Sequence, residues 1–112
     1  MPEEEKLRLL AIQERVALIR SWTDDLSEQD FVSNPLIRDA TALSLMVIGE
    51  TSGRLLDATR NNAPEVPWQS IRSLRNRIAH GYETVDHQLV WQIVKGNLPE
   101  LGAVVSRLLL AG

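Results

Sequence analysis

The sequence predicts an all-α fold, an antiparallel bundle of four to five helices. Apolar residues recur at helical spacing along most of the chain, and no segment shows the alternation of a strand. Aromatic residues make up only 4% of the chain, so aliphatic side chains must build the core. A chain of 112 residues suffices for one domain, which we expect to span residues 1–112.

The first helix is predicted over residues 3–26. Three glutamates at its start suit the positive end of the helix dipole. Asp24, Asp25 and Ser27 indicate where it ends. Its apolar stripe consists of Leu9, Ile12, Val16 and Ile19, widened by Leu10 and Leu18.

The second helix is predicted from Pro35 to Arg60. Ser33-Asn34-Pro35 is a typical start, because a proline in the first turn loses no hydrogen bond, and Asn61 to Pro64 is a typical end. We expect an apolar stripe of Leu36, Ala40, Leu43, Val47, Glu50 and Arg54, with Leu45, Ile48, Leu55 and Leu56 alongside. A carboxylate on such a stripe needs a partner if it is buried.

The rest of the chain predicts two or three further helices. One starts at Pro67-Trp68 and ends at Gly81, which suits a C-terminal cap. Another opens at Val85-Asp86. Pro99 would remove a backbone donor and clash with the preceding turn, so we expect a kink or a break there before a last helical stretch.

Composition excludes several classes of protein. The chain has no cysteine and only two histidines, so neither disulfides nor a metal site is expected, and we predict no cofactor. The N-terminus is acidic and no apolar run approaches about 18 residues, so we expect a soluble, cytoplasmic protein without a membrane partner. With a net charge of −3, contact with RNA would require a local basic patch or only transient binding.

Residues 72–80 form such a patch. They read Arg-Ser-Leu-Arg-Asn-Arg-Ile-Ala-His, with three arginines, one histidine and no acid. One interpretation is that cations favour the C-terminus of a helix through its dipole. The other is that the segment handles phosphate.

The arrangement Arg75, four residues, His80, any residue, Tyr82 resembles the signature of the HEPN superfamily, in particular the HepT-like toxins. Flanking positions extend the resemblance to residues 36–101. They are Ile48-Gly49-Glu50, Val66-Pro67-Trp68, Val85-Asp86, Val90-Trp91 and Leu98-Pro99.

The resemblance implies a homodimeric helical bundle that is the toxin of a prokaryotic type VII-like toxin–antitoxin pair. It implies a metal-independent endoribonuclease whose composite site lies at the dimer, with Arg75 and His80 as catalytic residues. It also implies a cognate antitoxin, a minimal nucleotidyltransferase, which neutralises the toxin by binding or by transferring AMP to Tyr82.

These residue types suit metal-free RNA cleavage. Histidine transfers protons near neutral pH, and the planar arginine fork binds two phosphate oxygens. However, Arg75 and His80 point about 140° apart on an ideal helix, whereas Arg72, Asn76 and His80 share a face. Either the helix loosens near Gly81, or a second subunit brings its own motif opposite the first.

Other side chains have two interpretations each. Glu50 either pairs with Arg54 one turn away or orients a motif arginine. The predicted supporting residues of the site are Arg72, Asn76 and Glu50. Tyr82 either accepts AMP or packs its ring on the bundle end.

His87 is expected to be solvated. Trp68 and Trp91 are expected to be core or interface anchors, and Trp22 could be either.

The sequence is compatible with three functions. The first is an RNA-cleaving toxin. The second is a catalytically inactive HEPN binding module that acts through its nucleotidyltransferase partner. The third is a structural helical adaptor in which the basic segment only caps a helix.

Overall fold

A computed structural model describes all 112 residues and contains seven α-helices and no strand. The predicted all-α fold is confirmed. The helices are α1 (Glu3–Thr23), α2 (Glu28–Val32), α3 (Pro35–Arg54), α4 (Asp57–Asn61), α5 (Trp68–Gly81), α6 (His87–Lys95) and α7 (Asn97–Ala111). Helices α2 and α4 are short helices in the connections between the longer ones. None of the helices has the length and apolarity needed to cross a membrane.

Helix α1 lies at the centre of the bundle, between α3 and α7. The core of the predicted stripe is confirmed, because Leu9, Ile12, Val16 and Ile19 are all buried, but Leu10, which was predicted to widen it, is 40% exposed. The helix ends at Thr23, and a capping box between Ser27 and Asp30 starts α2.

Helix α3 begins as predicted, with the Asn34 side chain accepting a hydrogen bond from the Ile37 N–H. Its predicted end at Arg60 is wrong. The helix ends at Arg54, because Leu55 adopts an extended conformation that buries its side chain in the core. The chain then restarts as α4.

The predicted stripe of α3 faces outward. Leu36 is 80% exposed and Leu43 is 57% exposed. Small side chains instead dominate the inner face, which lets α1 and α5 approach closely. The buried residues are Thr41, Ala42, Ser44, Leu45, Ile48, Gly49 and Ser52.

The predicted break before the last helix is confirmed. Helix α6 ends at Lys95, and Gly96 leads directly into α7. Pro99 occupies the first turn of α7, where backbone N–H groups have no intrahelical partner, so its missing donor has no cost.

Trp91 packs on Phe31, with ring centroids 5.3 Å apart, and the ammonium of Lys95 lies over the Trp91 ring.

Helix α5 packs mainly on α3, and Ile78 is its single fully buried residue. An apolar cleft of about 230 Å³ therefore remains between α5 and α7. Its walls include Leu45, Ile48, Ile71, Leu74, Leu98 and Leu101. The outer side of α5 is left free for other contacts.

A buried carboxylate joins α1 to the start of α4. Glu5 is 1% exposed and accepts hydrogen bonds from the Leu56 N–H at 2.8 Å, from the Thr59 hydroxyl and from Arg8. Burial alone would raise the pKa of Glu5, but these bonds together outweigh it and the pKa is lowered. The ionised form therefore stabilises the fold.

We expect Glu5→Ala to lower the free energy of unfolding by about 1–3 kcal/mol, because it leaves buried donors unpaired. Chemical denaturation measures this loss, and Glu4→Ala on the exposed side of the same turn is the control. Because the pKa of Glu5 is lowered, its contribution is present above the ordinary value of 4.5 and declines as the pH falls below it. Equal losses in the two variants would contradict this role.

Candidate active site

The predicted motif lies on α5, and a glycine of α3 sets how closely the two helices approach. A Cβ atom at Gly49 would overlap the Cβ of Arg75 and would lie 3.3 Å from the Ile71 carbonyl oxygen. Only glycine fits at this contact. The stem of Arg75 therefore lies directly on the backbone of α3.

Arg75 is held by two neighbours. Its guanidinium forms an ion pair with Glu50 at 2.8 Å and donates a hydrogen bond to the Asn76 side chain at 3.0 Å. Glu50 also lies 3.6 Å from Arg54, so it makes both contacts that the sequence left open. The Arg75 side chain keeps 30% exposure, so part of it can still be reached from solvent.

Arg72 differs from Arg75 in having no acidic partner. It forms no hydrogen bond or ion pair within the protein, and its guanidinium lies 3.4 Å from where a Cβ of Gly53 would be. Arg72 and Arg75 line a polar groove, together with Gly49, Glu50, Gly53, Arg54 and Asn76. This groove combines two guanidinium groups paired with Glu50, those of Arg75 and Arg54, with the free guanidinium of Arg72.

His80 is exposed and forms no hydrogen bond within the protein. It does not line the groove with Arg75. The backbone leaves α-helical geometry at Gly81, as anticipated, but this happens after His80 and does not turn His80 toward Arg75. Gly81 is also not a left-handed cap, because its φ of −166° is extended and a 3₁₀ turn (Tyr82–Thr84) follows. A single protomer does not bring the two predicted catalytic residues together.

Tyr82 packs against the core and donates a hydrogen bond from its hydroxyl to the Asp39 carboxylate. Burial raises the pKa of Tyr82 to about 12, and the hydrogen bond and charge of Asp39 add to the effect. The ring packing expected in one interpretation is present, but the hydroxyl is bound to a carboxylate rather than left to water. Asp39 was missed in the sequence, where nothing links it to a residue 43 positions away.

The prediction that His87 is a solvated residue is wrong. His87 is half-buried and packs edge-on against Tyr82, with ring centroids 6.0 Å apart. Burial, together with the nearby charge of Arg38, lowers the pKa of His87. Trp68, Trp91 and Trp22 are half-buried against the core, which fits the core interpretation.

The protein has one tyrosine, so titration of tyrosinate absorbance reports on Tyr82 alone. We expect an apparent pKa of about 12 in the native protein. Asp39→Asn should move it toward the ordinary value of 10.0, because the carboxylate no longer opposes ionisation. Asp86→Asn is the control, because the Asp86 carboxylate caps α6 and does not bind the Tyr82 hydroxyl. A native tyrosine that titrates near its ordinary value would contradict the Asp39 contact.

With this geometry established, comparison with known proteins identifies the family. A family model described as "Ribonuclease HepT-like" matches residues 12–108. The chain belongs to the HepT-like ribonuclease family. The predicted resemblance is confirmed, and the motif on α5 lies within the matched range.

Several relatives of the HepT-like family resemble nearly the whole chain. "Putative RNase MJ1380" of Methanocaldococcus jannaschii is 34% identical over 86% of this chain and 88% of its own length. "Probable ribonuclease HepT" of Thermococcus cleftensis is 29% identical over 96% of this chain and 98% of its own length. "Putative RNase TTE0752" of Caldanaerobacter subterraneus subsp. tengcongensis is 32% identical over 75% of both chains. No solved structure matches.

Proposed function

We propose that this HepT-like protein is the toxin of a type VII-like HEPN and nucleotidyltransferase pair, and that it is a metal-independent endoribonuclease of the cytoplasm. One observation carries the proposal. Helix α5 carries an exposed and unpaired His80 together with Arg72 and Arg75, and the helix contains no acid. Cations and a free imidazole are what RNA cleavage without a metal requires.

The proposed reaction is attack of a ribose 2′-hydroxyl on the adjacent phosphorus. The 2′-oxygen bond to phosphorus forms while the bond to the 5′-oxygen breaks. A base takes the proton of the 2′-hydroxyl, and an acid gives one to the leaving oxygen. Arg75, oriented by Glu50, and Arg72 would bind the phosphate oxygens, and His80 would move a proton.

A homodimer would supply what one protomer lacks. The outward stripe of α3 carries Leu36 and Leu43 and leads along the helix to Glu50, which holds Arg75. Exposed leucines beside a polar site favour burial against a second copy of the chain. Under two-fold symmetry, each copy would cover the same stripe of the other. The two motifs would then lie near one another, and two His80 side chains would allow a separate acid and base.

The proposed antitoxin is a minimal nucleotidyltransferase that binds the toxin or modifies Tyr82. In the transfer, the Tyr82 oxygen attacks the α-phosphorus of ATP, pyrophosphate leaves, and the phenolic proton goes to a base. Asp39 already accepts a hydrogen bond from this hydroxyl, which supports such a role. The attached AMP would add negative charge near the motif and repel RNA.

The ribonuclease proposal is tested with purified protein and RNA in the presence of a metal chelator. We expect cleavage.

The nucleotidyltransferase proposal is tested by co-expression with the product of the neighbouring gene, followed by intact-mass measurement. The wild-type protein should gain the mass of AMP, and Tyr82→Phe should not. A protein that carries AMP on Tyr82 but never cleaves RNA would be the inactive binding module, which the separation of Arg75 from His80 within a protomer favours.

A further inference from the structure

We infer that a second polar pocket, beside the motif groove, binds one nucleobase of the RNA strand. This inference rests on the proposed function. The pocket has a volume of about 180 Å³ and lies between the end of α3, α4 and the start of α5. Its lining residues are Gly49, Ser52, Gly53, Arg60, Trp68, Gln69 and Arg72.

Trp68 offers this pocket an aromatic wall. Its indole N–H donates a hydrogen bond to the Ala63 carbonyl at 3.1 Å, and the side chain is half-buried against the core. The ring is therefore already ordered, so a stacked base would not have to immobilise it. The space is sufficient for one ring, since a cavity of about 150 Å³ accepts benzene.

Two polar side chains of the pocket have no partner. Ser52 is 3% exposed, and its hydroxyl forms no hydrogen bond. The Gln69 amide, which is exposed to solvent, forms no hydrogen bond within the protein either. A buried hydroxyl without a partner is costly, and a rotation of the Ser52 side chain toward the pocket would let a ligand with donors and acceptors satisfy it. The edge of a nucleobase carries such groups, and glutamine amides pair with them.

Arg72 connects this pocket to the motif groove, because it lines both. Arg60, by contrast, is engaged, since it donates hydrogen bonds to the Ser52 carbonyl and to Asp57. Arg72 is thus the cation free to bind the phosphate of a nucleotide whose base enters the pocket. The next phosphate of the strand would lie toward Arg75, one helical turn further along α5.

The inference is tested with an RNA oligonucleotide methylated at every 2′-hydroxyl, which binds but cannot be cleaved. Gly53→Met fills the space in front of Arg72, while Gly53→Ala adds a methyl group that meets only the end of that side chain. Trp68→Leu removes the ring, while Trp68→Phe keeps one. We expect Gly53→Met and Trp68→Leu to weaken binding by about tenfold, and Gly53→Ala and Trp68→Phe, which keep most of the space and an aromatic ring, to weaken binding much less. Thermal unfolding reports which variants fold.

Equal binding by Gly53→Met and Gly53→Ala would overturn the inference, even if the Trp68 variants do not fold. Wild-type protein that does not bind the methylated strand, or a pocket that binds ATP or uridine monophosphate but not the strand, would also overturn it. If the wild type binds through this pocket but never cleaves unmodified RNA, the proposed function fails and the base site stands. If it cleaves, and the pocket variants bind and cleave equally well, only the base site fails.

Discussion

His80→Ala should lower RNA cleavage by at least about 10²-fold, the usual contribution of a positioned proton-transfer group. The fold should be unaffected, because the His80 side chain is exposed and forms no hydrogen bond. Cleavage rates in the presence of a chelator, together with thermal unfolding of both proteins, measure the two effects. The loss would therefore be one of chemistry rather than of structure.

The other histidine of the chain provides a matched control. His87 packs against Tyr82 on the far side of the Gly81 bend, and it has no role in the proposed cleavage. His87→Gln should keep most of the cleavage activity. Unchanged cleavage by His80→Ala would remove His80 from the mechanism, and an equal loss in both variants would point to a general effect on the bundle end.

Gly49→Ala should lower the free energy of unfolding by about 1–3 kcal/mol, the usual cost of overpacking. The new methyl group overlaps the stem of Arg75, which cannot move aside without separating α3 from α5. The ion pair of Arg75 with Glu50 should be disturbed as well, so cleavage should also fall. Chemical denaturation and cleavage assays measure the two consequences.

Gly53→Ala is the control for Gly49→Ala, because it lies one turn further along the same helix. There the added methyl group meets only the flexible end of Arg72, at 3.4 Å. The variant should be neutral or more stable by up to about 1 kcal/mol, since alanine favours helix over glycine. If both substitutions had the same effect, the close contact between α3 and α5 would not be the cause.

Periodicity predicted the buried residues Leu9, Ile12, Val16 and Ile19 of α1, although its outer face also carries apolar residues such as Leu7 and Leu10. It failed on α3, where both faces carry large aliphatic residues. Leu45 and Ile48 face inward, whereas Leu36 and Leu43 face outward. The inner face also contains small polar residues such as Thr41, which hydropathy counts as solvent-exposed although they are buried.

The candidate site could be predicted where its residues are close in sequence. Arg75, His80 and Tyr82 lie on one segment, so the motif was visible. The hydrogen bond from Tyr82 to Asp39 joins residues from two helices that only tertiary packing brings together. For the same reason, no spacing rule could show that Gly49 fits under Arg75.

The chemical ends of the cleaved RNA test the proposed reaction most directly. Attack by a 2′-hydroxyl, with protons moved by histidine, leaves a cyclic phosphate or a 3′-phosphate on one fragment and a 5′-hydroxyl on the other. The mechanism predicts these ends for the wild-type protein in excess chelator. Fragments with 3′-hydroxyl and 5′-phosphate ends, produced only when a divalent ion is supplied, would contradict it.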